Sequence, residues 1–261
     1  MKNKYSFWVL LFSMFVLTGV SSAQTYDTTF TANLNNDDIL DRVKVSYIED
    51  STKRGADGCY EIDINGIKII DSANADPYFE AEIHDIDKND MFEELFVKVG
   101  MNDYNNYNVY RFDGKRIINL GIVSSLNEIN VFGNGKIEAM EWMGFWYYDY
   151  EYIFNPSAQN FDVKKNDLYD VKTYSEEFDN PPIIVETPFV VYTDRVENAS
   201  EKFKTKADEK IKILKAYIKV SCPDEYTNMC VWYLIENSKG VQGWVKLKDF
   251  MEKVHGIPWA G

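Results

Sequence analysis

Histidine is almost missing from this chain. Its 261 residues include two, His84 and His255, too few for most His-dependent catalytic or metal centres. Basic residues are also in deficit, with 28 Lys+Arg against 42 Asp+Glu, a net charge of −14 and a pI near 4.6. Such a surface repels phosphate backbones and anionic lipid, which argues against nucleic acid as a partner. Long apolar runs are scarce too. The one near the start, Phe7 to Val20, falls short of the ~20 residues a membrane-spanning helix needs. Aromatics, in contrast, are plentiful at 15%, with 18 Tyr, 16 Phe and 6 Trp, and a disordered chain is poor in them.

Lys2 and Lys4, the apolar run, and Ser21-Ser22-Ala23 before Gln24 follow the order of a secretory signal with a small-x-small cleavage site near Ala23. The alternative is an anchor left in place. Leu17-Thr18-Gly19 is followed by Val20, where a lipoprotein would carry cysteine, so no lipid anchor is expected. The sequence thus predicts a secreted or cell-envelope protein with no membrane span after residue 23. Export permits disulfides. Cys222 and Cys230 bracket a short loop, while Cys59 has no third partner. A Cys222–Cys230 disulfide is the favoured reading and two free thiols the other.

Asp179-Asn180-Pro181-Pro182 breaks both helix and strand. It separates regions of different charge. Residues 24–182 hold 31 acids and 14 bases, a net of −17, whereas residues 183–261 hold 11 acids and 12 bases, a net of +1. The expected division is a leader (1–23), an acidic β domain (24–178), a linker (179–184), a second β domain (185–254) and a tail (255–261). Short Val/Ile/Tyr/Phe runs recur between Asp57-Gly58, Asn65-Gly66, Asp113-Gly114 and Asn134-Gly135, so both domains read as all-β. From Lys202 to Lys219 a loop followed by a strand is expected.

An acidic loop occurs twice. Asn33, Asn35, Asp37 and Asp41 occupy positions 1, 3, 5 and 9 of the first, and Asp85, Asp87, Asn89 and Glu93 those of the second, 52 residues later. Each is followed by an apolar strand-like run. Alternate residues of a tight loop point inward, so oxygens at these positions converge, and a hard cation such as Ca²⁺ would relieve their repulsion. Hydrogen-bonded Asx turns without metal are the alternative. Residue 12 is Lys44 or Phe96 where an EF-hand needs a bidentate Glu, so an EF-hand is excluded. The pattern resembles the FG-GAP or VCBS repeat, the blade unit of integrin-α-type propellers, although Asp38 and Asp90 stand at its glycine position. That resemblance implies Ca²⁺ between strands. A weaker third echo, Val131 to Ile137, lacks the carboxylates. Residues 24–178 are too few for a seven-bladed ring at about 50 residues per blade, so a truncated propeller-like assembly is expected.

Trp142 to Phe154 reads as one strand whose even face, Trp142, Trp146, Tyr148, Tyr150, Tyr152 and Phe154, is wholly aromatic. Exposed, it would stack sugar rings. Buried, it is the first domain's core with tyrosine hydroxyls reaching solvent.

In the last third, Val190-Val191-Tyr192, Lys210 to Leu214, Val231-Trp232-Tyr233-Leu234-Ile235 and Gly240-Val241-Gln242-Gly243-Trp244-Val245 resemble a bacterial SH3-like (SH3b) domain, a small β-barrel. Gly240 suits a hairpin turn and Gly243 a close strand approach. The resemblance implies recognition of peptides, often cell-wall peptides, in an aromatic groove, for which Tyr192, Tyr217, Trp232, Tyr233 and Trp244 are the candidates. The other reading is a module that only packs against its neighbour.

No nucleophile stands beside a base in a recognisable motif, and no catalytic residue is assigned. Three functions are carried forward. The leading one is an exported, non-catalytic protein that binds cell-wall peptide or another envelope component. The second is an interaction or structural envelope protein without a small ligand, and the third a carbohydrate-active enzyme using Asp and Glu.

Overall fold

The computed structural model describes residues 27–48, 58–73, 79–99, 104–171, 182–219 and 227–257. The expected leader, Asp57, linker residues 179–181, Cys222 and tail residues 258–261 lie outside the described residues. The protein is all-β, with antiparallel sheets and, among the described residues, one short α-helix, Leu247–Phe250. Among the described residues no helix is long and apolar enough to cross a membrane.

Three four-stranded meanders come first. The first is β1 (Asp27–Ala32), β2 (Asp41–Ile48), β3 (Gly58–Ile64) and β4 (Ile67–Ala73), paired in that order. The second is β5 (Phe79–His84), β6 (Glu94–Val99), β7 (Asn105–Phe112) and β8 (Ile117–Ser125), and the third β9 (Asn130–Val131), β10 (Lys136–Trp142), β11 (Tyr147–Asn155) and β12 (Asn160–Lys164). Local chemistry sets their edges. β3 buries Tyr60, Ile62 and Ile64 on one face, then turns into β4 through Asn65 (φ 54°) and Gly66 (φ 88°). Two successive left-handed residues match the twist of the flanking strands, and Asn-Gly adopts them at least cost.

The second sheet is the middle layer. Leu95, Val97, Tyr110 and Phe112 pack with Val43, Val45 and Ile62 of the first sheet, while Phe96, Tyr107 and Val109 join a cluster with Ala139, Tyr150 and Phe154 of the third. Alternation along β6 and β7 supplies both faces, so these strands are apolar throughout rather than amphipathic.

The aromatic segment is two strands, not one. β10 ends at Trp142, a turn with Gly144 at φ 92° closes through Met143 N–H donating to the Trp146 carbonyl at 2.8 Å, and β11 begins at Tyr147. Its even face is core. Tyr148, Tyr150, Tyr152 and Phe154 are buried, and the hydroxyls meet protein instead of solvent: Tyr150 donates to the Ser124 carbonyl at 2.6 Å and Tyr152 accepts from Ser124 N–H at 3.0 Å. The stripe is therefore not a sugar platform.

The remaining strands are β13 (Leu168–Asp170), β14 (Ile183–Val185), β15 (Val190–Tyr192), β16 (Glu201–Lys204), β17 (Lys210–Tyr217), β18 (Trp232–Asn237), β19 (Gln242–Lys246) and β20 (Val254–His255). They form one sheet in the order β16-β15-β19-β18-β17-β14-β20, with β13 also paired to β17. Among the described residues its ends do not join, so it is an open sheet where a barrel was expected. The expected boundaries move accordingly: Ile183 and Ile184, assigned to the linker, pair with Ile211 and Lys210, and His255, assigned to the tail, pairs with Ile184. Lys202–Lys204, expected as the start of a loop, belong to the strand Glu201–Lys204. In β17 a bulge between Ile213 and Lys215 keeps the apolar side inward, so that Ile211, Ile213 and Ala216 are all buried.

One apolar cluster runs from the middle sheet through the third into this last sheet, including Ile86, Phe96, Tyr148, Val185, Tyr233 and Phe250. Trp146 and Tyr233 meet at its centre, Trp146 Nε1–H donating to the Tyr233 hydroxyl at 3.0 Å. The halves distinguished by charge share one core.

Candidate functional site

The acidic loops span 33–40 between β1 and β2 and 85–93 between β5 and β6. They are stitched in series. Glu93 N–H donates to the Leu34 carbonyl at 3.1 Å, and Gly135 N–H, just ahead of β10, donates to the Ile86 carbonyl at 2.7 Å. In the first loop Asp41, buried at the head of β2, accepts Leu34 N–H at 3.1 Å and Asn65 Nδ2–H at 2.6 Å. Asp37 accepts Ile39 N–H at 3.0 Å and Asn35 Nδ2–H at 3.1 Å. Asp38, at the repeat's glycine position, adopts φ 62°, so the left-handed turn forms despite its side chain.

The second loop is one residue longer, and that slip changes which acid turns inward. Glu94 takes the part of Asp41, accepting Ile86 N–H at 3.1 Å. Glu93 is exposed and is not brought to the inside, a correction to its expected role. Glu94 is fully buried and paired with Arg111, whose Nε–H donates to it at 2.8 Å and whose Nη2–H donates to both Glu94 and Asp90. Burial pushes the Glu94 carboxyl up to about 7, against the pull of Arg111. Neither Glu94 nor Arg111 was picked out by the repeat. Asp87 accepts both Asn89 N–H at 3.1 Å and Asn89 Nδ2–H at 2.8 Å.

Among the described residues three buried side-chain oxygens have no hydrogen-bond partner. Asn33 Oδ1, Asn35 Oδ1 and Asp85 Oδ1 are buried and accept no hydrogen bond, and Asn35 is only 8% exposed. They occupy positions 1 and 3 of the first loop and position 1 of the second. Burial, reinforced by the charge of Asp90, holds the Asp85 carboxyl above its ordinary range. Oxygen-only donors of this kind fit a hard cation. Among the described residues no three His, Cys, Asp or Glu side chains form a metal-binding group, so amide and carbonyl oxygens would have to complete the set.

The second assembly lies on the last sheet. Adjacent strand residues face opposite ways, which divides the expected aromatic set. Tyr233 points into the core, fully buried, with ring centroids 5.5 Å from Phe145 and 5.9 Å from Phe250. It is a core residue rather than a ligand contact. Tyr192, Tyr217, Trp232 and Trp244 share the other face. Registers place Tyr192 opposite Trp244, and Trp232 opposite both Tyr217 and Lys246. Tyr192 and Trp232 meet edge to face at 6.2 Å. Trp232 is 6% exposed, while Tyr192, Tyr217 and Trp244 are half-buried. Gly243 makes this possible: a Cβ there would lie 2.6 Å from Val191 Cγ1 and 2.9 Å from the Tyr192 carbonyl oxygen.

Two cations lie over these rings. Lys246 Nζ is 5.0 Å from the Trp232 centroid and pairs with Glu197. Arg195 Cζ is 4.2 Å from the Tyr217 centroid and 5.3 Å from that of Trp244. Neither cation stands out in the sequence, because the partners of each are distant in the chain. Cys230, near this sheet, is disulfide-bonded, and Cys59 is a free thiol.

Comparison with family models, curated proteins and solved structures finds no match to this chain. The acidic loops and the aromatic face are therefore the features from which its function is read.

Proposed function

We propose that this is an exported, non-catalytic binding protein whose C-terminal sheet recognises cell-wall peptide or another envelope component. The observation that carries the reading is the clustering of Tyr192, Tyr217, Trp232 and Trp244 on one face, with Arg195 and Lys246 stacked over their rings. Aromatic planes with charged edges suit a peptide, because rings take up aliphatic groups while the cations meet carboxylates. We read this module as SH3-like and the three meanders as FG-GAP/VCBS-like units, each carrying its loop between its first and second strands.

In the same reading Ca²⁺ binds the acidic loops, held by Asn33, Asn35 and Asp37 in the first and by Asp85 and Asp87 in the second. The unpartnered oxygens at three of these positions support it. The ion would supply no chemistry beyond neutralising the loops and fixing their stacking. His84 Nε2 lies 3.0 Å from Glu82 and its ring packs on Phe96.

The test is retention on purified, insoluble peptidoglycan, with and without EDTA. Retention that falls sharply in Trp232→Ala supports the aromatic face. No retention, or retention unchanged by Trp232→Ala in a folded variant, overturns the reading in favour of a protein-interaction role.

A further inference from the structure

We infer that Arg195 is the anion-recognising residue of the aromatic face and that the ligand is a peptide bearing a free carboxylate. The inference rests on the binding role proposed for this face and names the chemistry that it selects.

Arg195 sits in the loop Thr193 to Ser200, which closes with Thr193 N–H donating to the Ser200 carbonyl at 2.9 Å. The loop carries two acids, and neither neutralises Arg195. Asp194 accepts the backbone N–H of Arg195 at 2.7 Å, and Glu197 pairs with Lys246. Lys215, two residues before Tyr217 on β17, pairs with Asp170 at 2.5 Å. Among the described residues, then, Lys246 and Lys215 have carboxylate partners and Arg195 has none. An unpaired arginine at a chain tip would mean little, since its side chain would wander in solvent. Arg195 is instead half-buried, with its guanidinium carbon over the rings of both Tyr217 and Trp244.

Stacking occupies the faces of a guanidinium and leaves its in-plane N–H donors unused. That edge is planar and forked, and it matches a carboxylate with two parallel hydrogen bonds. The rings fix its direction beforehand, which lowers the ordering cost of binding. Tyr192, half-buried and backed edge to face by the buried Trp232, offers apolar surface for a small side chain next to the carboxylate. A lysine could supply the charge at this point but not the fork.

The test is a tryptophan-fluorescence titration of the full chain with N-acetyl-D-alanyl-D-alanine, its C-terminal amide, and inorganic phosphate. The acid is expected to bind about tenfold or more tightly than the amide, the scale of one charge-assisted pair. Arg195→Gln should bring the acid down to the level of the amide, and Arg195→Lys should recover part of the difference. Unfolding midpoints equal to the parent protein's show that these variants fold. Equal binding of acid and amide, no binding of either, or phosphate binding more tightly than the acid overturns the inference. Peptidoglycan retention separates the two readings. Retention that survives Arg195→Gln sinks the carboxylate assignment and leaves wall binding standing, whereas acid-selective binding without retention does the reverse.

Discussion

Replacing Tyr233 by phenylalanine tests whether the acidic meanders and the C-terminal sheet form one cooperative structure. The Tyr233 hydroxyl accepts from Trp146 Nε1–H at 3.0 Å, both residues are fully buried, and they lie 87 positions apart. Phenylalanine keeps the ring, so the packing on Phe145 at 5.5 Å and Phe250 at 5.9 Å is retained. What is lost is the partner of a buried indole N–H, and leaving such a donor unsatisfied costs about 1–3 kcal/mol. With a urea m-value of about 2–3 kcal/mol/M, the midpoint should fall by roughly 0.3–1.5 M. The assay is equilibrium urea unfolding followed by tryptophan fluorescence and far-UV circular dichroism. Parent and variant should each unfold in one transition common to both probes, with the variant's displaced. A cycle with Trp146→Phe should show the double variant losing less than the sum of the singles. Two separated transitions, with only the later-unfolding or only the earlier-unfolding one moved by Tyr233→Phe, would refute the shared core.

Gly243→Ala should destabilise the protein by about 1–3 kcal/mol, as overpacking does, because its Cβ would meet Val191 Cγ1 at 2.6 Å and the Tyr192 carbonyl oxygen at 2.9 Å. Since Tyr192 moves with that backbone, peptidoglycan retention should weaken as well, and a variant with the parent's midpoint and retention would contradict the close approach. Ca²⁺ at ten times its dissociation constant should stabilise by about 1.4 kcal/mol, or roughly 3–5 °C for a chain of this size. No shift in melting temperature and no calorimetric heat at 5–10 mM would dismiss the cation loops. Hydrogen bonds from Lys98 and then Tyr107 hold Glu128 below its ordinary value of 4.5. Its contribution is therefore present above about pH 4.5 and lost as the pH falls through its lowered folded value. Glu128→Gln should flatten that acid limb in a series of unfolding curves, and an unchanged slope would exclude the pairing.

Elements written in adjacent residues are legible in the sequence itself. Asn65-Gly66 forms the expected hairpin because its two left-handed angles are a property of those residues alone. The even face of β11 is aromatic and buried because alternation fixes it. The break at Gly144 is hidden because aromatic residues continue through the turn: Trp142 pairs with Tyr147, so it faces away from Tyr148, Tyr150 and Tyr152, and no change in residue type marks the change of face. Glu94 is masked because two glutamates stand side by side, and loop length decides which turns inward. The fate of Tyr233 is readable in principle, since it follows Trp232 in one strand and neighbours cannot line the same groove. That of Arg195 is not, because Tyr217 and Trp244 reach it only through the fold.

The shared core also decides where a ligand can bind. The inner face of the C-terminal sheet is committed to Trp146, Phe145 and the third meander, so only the face of Tyr192, Tyr217, Trp232 and Trp244 is left for a partner. That face depends on the acidic half in turn. β13 belongs to the chain before the proline break, yet it pairs with β17 from Leu168 opposite Tyr217 to Asp170 opposite Lys215. Tyr217 is the ring on which Arg195 stacks, so the strand positioning that ring is braced by residues the charge pattern assigned to the other domain. Cutting the chain at the charge boundary would strip β13 from β17 and remove Phe145 and Trp146 from Tyr233. The platform and the acidic meanders share one apolar core, so a cation held in the loops would act on the same folding equilibrium that holds Arg195 in place.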